Sequence, residues 1–273
     1  MENGTITYTQ LLREDLGIFR VTPDDGVPDF KAGQFLTLGL PLDGQIVNRA
    51  YSISSSPENK KFFEFVIRWV RKPLPGRLTS LLFNAKEGDK ISWAKPAGSL
   101  TINDTLPNGE KDTRRIVCIG GGTGLAPFVS FAQHLHDTND KREIVVLHGA
   151  SYVDELSYKD LLTGLENESI DKGADKWNFK YRAAISRPQE WTNRAWHGHK
   201  GRIEQFLRYN DGGKSSLEEL VGEKITKDNT MFYVCGWQGT IDGVMDYLNA
   251  KNFVTEKNKR EDGSYEVKFE SYG

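Results

Sequence analysis

Within four consecutive residues, Arg49-Ala50-Tyr51-Ser52, the chain sets a guanidinium, an aromatic ring and a hydroxyl side by side. A guanidinium can fork onto a pyrophosphate, a phenol ring can cover the face of a flat heterocycle, and a hydroxyl can bond a ring edge. These types together suit a planar, phosphorylated ligand. The same residues also read as an edge strand with a surface arginine and a half-buried tyrosine. What decides between the two is the rest of the chain.

A second group of such residues lies in the other half. Gly120-Gly121-Gly122-Thr123-Gly124-Leu125-Ala126-Pro127 follows an apolar run. Glycines let a backbone approach phosphate closely, and Pro127 suits the first turn of a helix. Leu125 stands where the GxGxxG fingerprint counted from Gly120 needs its third glycine, so the run fits either nucleotide binding or a tight structural turn. Ser186-Arg187, with Lys200 and Arg202 beyond, offers positive charge where an NAD-preferring site commonly carries an acid, and so suits a 2′-phosphate or a solvated basic loop. Between them lie Trp191, Trp196, His197 and His199. Two histidines two apart, with no third ligand nearby, give no expectation of a metal, and the tryptophans suit packing or stacking. Cys235-Gly236 and Glu270-Ser271-Tyr272 put a thiol, a carboxylate and a ring at two further run ends.

Those residues need elements to hold them. Residues 5–110 contain six strand-like runs: ITYTQLL, LGIFRVT, QFLTLGL, RAYSIS, FFEFVIRWV and KISWAK. Turn signals such as Asp43-Gly44 separate them, which predicts a small antiparallel barrel. The segment 73–85 interrupts this pattern as a turn and short helix with Leu78, Leu81 and Leu82 on one face. There Gly76 and the Thr79 hydroxyl offer close approach and donors to phosphate. Near residue 112 the pattern turns to strand–helix alternation. RRIVCIG, EIVVLHGA, FKYRAAIS, TMFYVCG and SYEVKFESYG read as strands; VSFAQHLHD, ELSYKDLLTGL, IEQFLRY, SLEELVG and TIDGVMDYLNAK read as helices. Alternation of this kind predicts a parallel sheet, with ligands at the carboxyl ends of its strands. The expected division is 1–111 for the barrel and 112–273 for a Rossmann-like α/β domain.

Composition narrows the function classes. At 273 residues the chain can build two cores, and a net charge of −2 gives no global footprint for nucleic acid or a membrane surface. Two cysteines, Cys118 and Cys235, exclude a disulfide framework and a four-cysteine iron–sulfur cluster within these residues. No run has the length of a membrane span and the start lacks a signal-like apolar stretch, so the expected location is the cytoplasm.

Taken in order, RAYS, GRLTS, GGGTGLAP, SR, CG and ES-Y resemble the ferredoxin–NADP reductase family over essentially the whole chain. The resemblance implies FAD held mainly by the barrel and NADP(H) held mainly by the α/β domain. It assigns Arg49, Ala50, Tyr51, Ser52, Val66, Ile67, Gly76, Arg77, Leu78 and Thr79 to FAD. Gly122, Thr123, Gly124, Ser186, Arg187, Arg202, Cys235 and Gly236 are assigned to NADP(H), the 2′-phosphate falling to Ser186, Arg187 and Arg202. Ser52, Cys235, Glu270 and Tyr272 are the implied catalytic residues, Tyr272 covering a flavin face and moving aside for nicotinamide. Thr240 and Gly273 depart from the family pattern, which often has methionine at the first place and does not place a lone glycine at the second. The implied activity is exchange of electrons between NADP(H) and ferredoxin or flavodoxin, with Lys60, Lys61, Arg71, Lys72 and Arg77 as candidate docking charges. One alternative uses the same core, an NAD(P)H-dependent reductase component of an oxygenase or other electron-transfer complex; a second, from another class, is a non-catalytic flavin- or nucleotide-sensing module.

Overall fold

A computed structural model describes residues 1–71 and 73–272; Lys72 and Gly273, named above, lie outside the described residues. The chain divides into two compact units. One comprises Met1–Ile102 and Ala126–Thr138, the other Asn103–Leu125 and the chain from Asn139.

The first unit is a six-stranded antiparallel sheet of β1 (Glu2–Arg13), β2 (Leu16–Pro23), β3 (Phe35–Leu42), β4 (Gln45–Ser52), β5 (Phe63–Arg68) and β6 (Lys90–Trp93). Their order is β4-β3-β6-β1-β2-β5. The Asp43-Gly44 signal makes the β3–β4 hairpin, both residues having positive φ (51° and 75°), as a two-residue primed turn requires. Alternation then sends Leu36, Leu38 and Leu40 inward, where they meet Phe19, Phe63, Phe65, Ile67 and Trp93. Just past β4 the Ser54 N–H bonds Glu64 O at 2.8 Å, which brings the two outermost strands together and curls the sheet into the expected barrel. Helix α1 (Arg77–Asn84) is anchored on this core by Leu78 and Leu82. Burying each such leucine contributes about 1.5–3 kcal/mol.

Helix α2 (Ala126–Asp137) lies in sequence after the glycine-rich turn yet belongs to the barrel unit. Its Ser130 hydroxyl donates to Ser55 O (2.7 Å) and its Gln133 amide to Ser54 O (2.9 Å). The backbone immediately beyond Ser52 is therefore held by the buried Ser130 and the half-buried Gln133 as well as by the sheet.

The second unit is a parallel sheet of β7 (Arg115–Gly121), β8 (Ile144–Ala150), β9 (Phe179–Ile185), β10 (His199–Lys200), β11 (Thr230–Gly236) and β12 (Val267–Ser271). The order β10-β9-β8-β7-β11-β12 reverses direction between β7 and β11. Such a switch point opens a crevice at the carboxyl ends of the strands. β7 and β11 are buried nearly end to end, as continuous apolar runs demand. Val117, Ile119, Phe232 and Val234 pack on one face with Ile241, Val244 and Leu248 of α5 (Gln238–Ala250) and Leu217 of α4 (Ser216–Val221).

Two sequence expectations shift, and one strand was not expected. IEQFLRY forms a 3-10 turn over Ile203–Leu207, whose bonds run from Gln205 to Arg202 and from Arg208 to Gln205. A spacing of three or four between buried residues fits either helix type, so periodicity could not separate them. Helix α3 (Lys159–Lys172) starts four residues later than ELSYK suggests. Glu155 turns its carboxylate back onto the Ser151 and Tyr152 N–H groups, and Tyr158 takes a left-handed φ of 58°. The edge strand β10 is two residues long and carries no periodic signal.

Candidate functional site

In the barrel, β4 pairs with β3 so that Ser52 lies opposite Phe35 and Arg49 opposite Leu38. Arg49 and Ala50 are exposed, Tyr51 is half-buried and Ser52 is buried. Arg49 uses one of its five N–H donors on Asn48 O at 2.9 Å. The Tyr51 hydroxyl is buried and has no hydrogen-bond partner, and burial pushes its pKa well above the usual phenol value, with Arg49 opposing. Leaving such a hydroxyl unsatisfied costs about 1–3 kcal/mol, which a ligand acceptor or donor would recover.

On β5, Ile67 packs in the barrel core and Val66 is also buried, so neither side chain is open to solvent. Leu78 is likewise committed to the core. The N-terminus of α1 has no acidic residue in its first turn, and Arg77 is exposed there. Thr79 and Ser80 donate their hydroxyls to Gly76 O at 3.1 and 2.8 Å. A Cβ on Gly76 would lie 2.5 Å from Thr79 Oγ1, so a larger residue there would have to turn the Thr79 hydroxyl away from Gly76 O. An exposed guanidinium, an unsatisfied phenol and a positive helix end fit an aromatic ring system joined to a pyrophosphate.

The α/β unit gathers its candidates at adjacent strand ends. Cys235 of β11 lies in register between Gly120 of β7 and Glu270 of β12, and Gly236 lies beside Ser271. Beyond β7 the chain makes a 3-10 turn over Gly122–Leu125. A Cβ on Gly124 would sit 2.3 Å from Cys235 O, and one on Gly120 would sit 2.8 Å from Leu125 Cα. Gly122 differs: its φ is 57° and nothing lies within 4 Å of its missing Cβ, so it faces open space. Thr123 stands half-buried between Gly122 and Gly124. This is a backbone cradle of the kind phosphates occupy.

Cys235 is fully buried, and desolvation raises its thiol well above the ordinary value despite a hydrogen bond with the Tyr272 side chain, while Glu270 adds to the rise. The thiol is therefore neutral, which suits a polarizable contact rather than a nucleophile. The Tyr272 N–H donates to Gly236 O at 3.0 Å, and Ser271 donates its hydroxyl to Gln238 Oε1 at 3.0 Å. Carboxylate, thiol and phenol thus converge at the carboxyl ends of β11 and β12.

At the β9 and β10 ends the Gly201 N–H bonds Ile185 O at 2.9 Å, so Ser186 and Arg202 leave neighbouring strand ends. Ser186, Arg187 and Lys200 are exposed. Arg202 is paired with the buried Glu204 and donates to Gly239 O at 2.7 Å, which spends part of its charge inside the protein. Arg187 instead lies along Tyr152, its guanidinium 5.4 Å from the ring centre and its Nη1 donating to the phenol oxygen at 2.8 Å. The His199 ring packs on Phe206 at 4.3 Å. Sequence reasoning missed Tyr152 and the buried Asn193, because neither stands in a patterned run. On the barrel, Lys60 is paired with Asp29 (2.8 Å), and Arg71 with Glu14 (3.3 Å) while lying over Trp69; Lys61 is exposed.

An antiparallel barrel bearing a pyrophosphate-type cradle, together with a parallel α/β unit bearing a second, defines an oxidoreductase that binds a flavin and a nicotinamide dinucleotide. Residues 4–102 match the oxidoreductase FAD-binding domain model and residues 118–246 the oxidoreductase NAD-binding domain model. The ferredoxin–NADP reductase of Azotobacter vinelandii is 30% identical over 86% of this chain and 84% of its own length. That of Pseudomonas aeruginosa is 37% identical over 53% of each chain. A solved ferredoxin NADP+ reductase from Neisseria gonorrhoeae with bound FAD and NADP superposes with a TM-score of 0.77 at 23% identity, over 98% of this chain and 97% of that one. Reductase components of propane 2-monooxygenases also match, over 60% of their own length. The chain belongs to the ferredoxin–NADP reductase family, and its cofactors are FAD and a nicotinamide dinucleotide. Among the described residues no helix is long and apolar enough to cross a membrane.

Proposed function

We propose that the chain is a cytoplasmic FAD-dependent reductase that exchanges electrons between NADP(H) and ferredoxin or flavodoxin. In this reading residues 1–111 hold FAD and residues 112–273 hold NADP(H). The observation that carries it is the lateral register of Gly120, Cys235 and Glu270 at the switch point of the sheet. FAD, when bound, would supply the redox chemistry that accepts one hydride, and with it two electrons, from NADPH and releases the electrons one at a time. The protein's own residues bind, orient and exclude water.

Arg49 and the α1 N-terminus, with Gly76, Arg77 and Thr79, take the FAD pyrophosphate, and Tyr51 covers one ring face. Ser52 bonds the ring edge beside the hydride-accepting nitrogen. Gly122, Thr123 and Gly124 take the dinucleotide pyrophosphate, and Ser186, Arg187 and Arg202 the 2′-phosphate. Cys235 and Gly236 flank the nicotinamide, Glu270 supplies local negative charge, and Tyr272 covers the flavin until nicotinamide displaces it. Arg187 is the better-placed phosphate ligand, since Arg202 already serves Glu204. Lys60, Lys61, Arg71 and Arg77 remain the described docking charges for an acidic carrier, although the Asp29 and Glu14 pairs reduce their net field.

The test is a stopped-flow comparison of NADPH and NADH reduction of the purified yellow protein, with ferredoxin and then flavodoxin as acceptor. Selective reduction by NADPH and onward transfer to either carrier is expected. Reduction that neither carrier relieves would instead favour the oxygenase-component reading, which the propane monooxygenase relatives support. A protein that binds FAD and is reduced by neither nucleotide would overturn both. Replacing Ser52 by Val should slow hydride transfer more than about tenfold with FAD retained, the size of one lost transition-state hydrogen bond. An unchanged single-turnover rate would remove Ser52 from the site.

A further inference from the structure

Asn193 sits at the end of a 3-10 turn (Trp191–Asn193) in the connection from β9 to β10 and is only 2% exposed. Most of this connection is exposed, so a buried amide within it needs a reason. The amide makes three hydrogen bonds. Its Nδ2 donates to Ser151 O at 3.0 Å and to Arg187 O at 2.7 Å, and its Oδ1 accepts the Val153 N–H at 2.9 Å. Only one amide orientation serves all three, since a flip would face N–H with N–H and oxygen with two carbonyls.

Ser151 and Val153 bracket Tyr152, and Tyr152 is the residue whose hydroxyl and ring receive Arg187. One buried side chain therefore holds the backbone on both sides of Tyr152 and also the carbonyl of Arg187. It ties the connection after β8 to the connection after β9 at the point where their side chains meet. Arginine has long, freely rotating torsions, so a guanidinium whose backbone and resting partner are both fixed loses less freedom when it meets a phosphate.

We propose that Asn193 is a positioning residue that sets the preference for a 2′-phosphorylated dinucleotide, by holding Tyr152 and Arg187 in the arrangement that presents the guanidinium. This rests on the assignment of Arg187 to the 2′-phosphate. Asn193 itself touches no ligand. The connection does not depend on Asn193 alone for its fold, because Glu155 Oε2 also accepts the Ser151 and Tyr152 N–H groups at 3.1 and 3.3 Å.

The experiment compares the FAD-loaded wild type with Asn193→Ala, Asn193→Asp, Tyr152→Phe and Arg187→Ala. It measures kcat and KM with NADPH and NADH, and the Kd of adenosine 2′-monophosphate against adenosine 5′-monophosphate. Asn193→Ala should raise the NADPH KM and the adenosine 2′-monophosphate Kd about tenfold, keep kcat, and change the NADH KM and the 5′-isomer by less than about twofold. Asn193→Asp, which keeps the Val153 bond and loses both donations, should behave alike. Tyr152→Phe, which removes one hydroxyl, should give about threefold in the same direction.

Equal weakening toward both nucleotides in the Asn193 variants would mean a merely structural role and overturn the proposal. Loss of 2′-phosphate preference in Arg187→Ala, with that preference intact in the Asn193 and Tyr152 variants, would overturn the positioning role and leave the Arg187 assignment standing. Unchanged preference in Arg187→Ala would overturn both. If the Asn193 variants fail to fold, Tyr152→Phe decides: full 2′-isomer affinity there, with loss in Arg187→Ala, sinks the proposal.

Discussion

Arg49 and Ala50 stand exposed on β4, with a partnerless phenol beside them, whereas the turn after β7 presents glycine backbone pressed against the end of β11. In the proposed reading the barrel would meet its ligand with side chains projecting from a strand that the core already holds. The α/β unit would meet its ligand with main-chain atoms whose position depends on the packing of neighbouring strands. The first kind of site tolerates loss of a group as a loss of affinity. In the second kind, binding and folding share the same atoms, and one substitution damages both.

The largest effect expected from this contrast is at Gly124. Its missing Cβ would lie 2.3 Å from Cys235 O and 2.6 Å from Cys235 C, both backbone atoms of a fully buried strand. Gly124→Ala should destabilise by about 3 kcal/mol, the upper part of the overpacking range, and weaken dinucleotide binding along with it. Chemical denaturation of the FAD-loaded protein measures the first and nucleotide titration the second. Gly122→Ala, in the same turn but facing open space, should cost only about 1–2 kcal/mol from its left-handed φ. Equal costs at the two positions would mean that the turn does not rest on β11.

The comparison extends to buried polar atoms without partners, of which each unit has an instructive one. In the sheet, His148 of β8 is fully buried; its Nδ1 meets the Tyr181 hydroxyl at 3.2 Å and its Nε2 has no partner. Desolvation lowers its pKa from 6.5 to about 3. The folded form therefore holds His148 neutral while the unfolded chain takes a proton below 6.5, so its contribution is complete above that pH and declines as pH falls toward about 3. By about pH 4.5 the loss is about 3 kcal/mol. His148→Gln keeps a side-chain partner for Tyr181 without titrating, so its stability should fall less steeply in acid. Parallel acid slopes for wild type and variant would show that His148 is protonated in the fold.

How far the sequence revealed these sites follows from the same contrast. The candidate barrel site could be named from sequence because its side-chain types stand next to one another, and the Asp43-Gly44 turn and alternating leucines gave the register of β4 that the structure has. The glycine turn was legible as a cradle, but not the division of labour inside it. Gly120 and Gly124 serve packing while Gly122 faces space, a distinction that depends on where β11 runs. Arg202 was legible as charge, but its pairing with Glu204 follows from a 3-10 turn that periodicity read as a helix. Asn193 was invisible, since one amide in an irregular connection has no periodic neighbour and its partners are up to 42 residues away.

The smallest expected effect is at Tyr51, where the barrel's orphan differs from His148 in standing on the strand proposed to meet the ligand. A buried hydroxyl with no partner costs the empty protein and repays that cost only when a ligand atom reaches it. Tyr51→Phe keeps the ring and removes the oxygen. In the FAD-free protein it should therefore be neutral or stabilising by about 1 kcal/mol, while FAD affinity falls by about three- to tenfold. Melting of the apoprotein and holoprotein, with FAD titration, separates the two effects. Destabilisation of the apoprotein as large as that of the holoprotein would place the partner of the hydroxyl in the protein or its water. The barrel would then carry its own satisfied core at this point, as the sheet does on the Tyr181 side of His148, and Tyr51 would recognise the ligand through its ring alone.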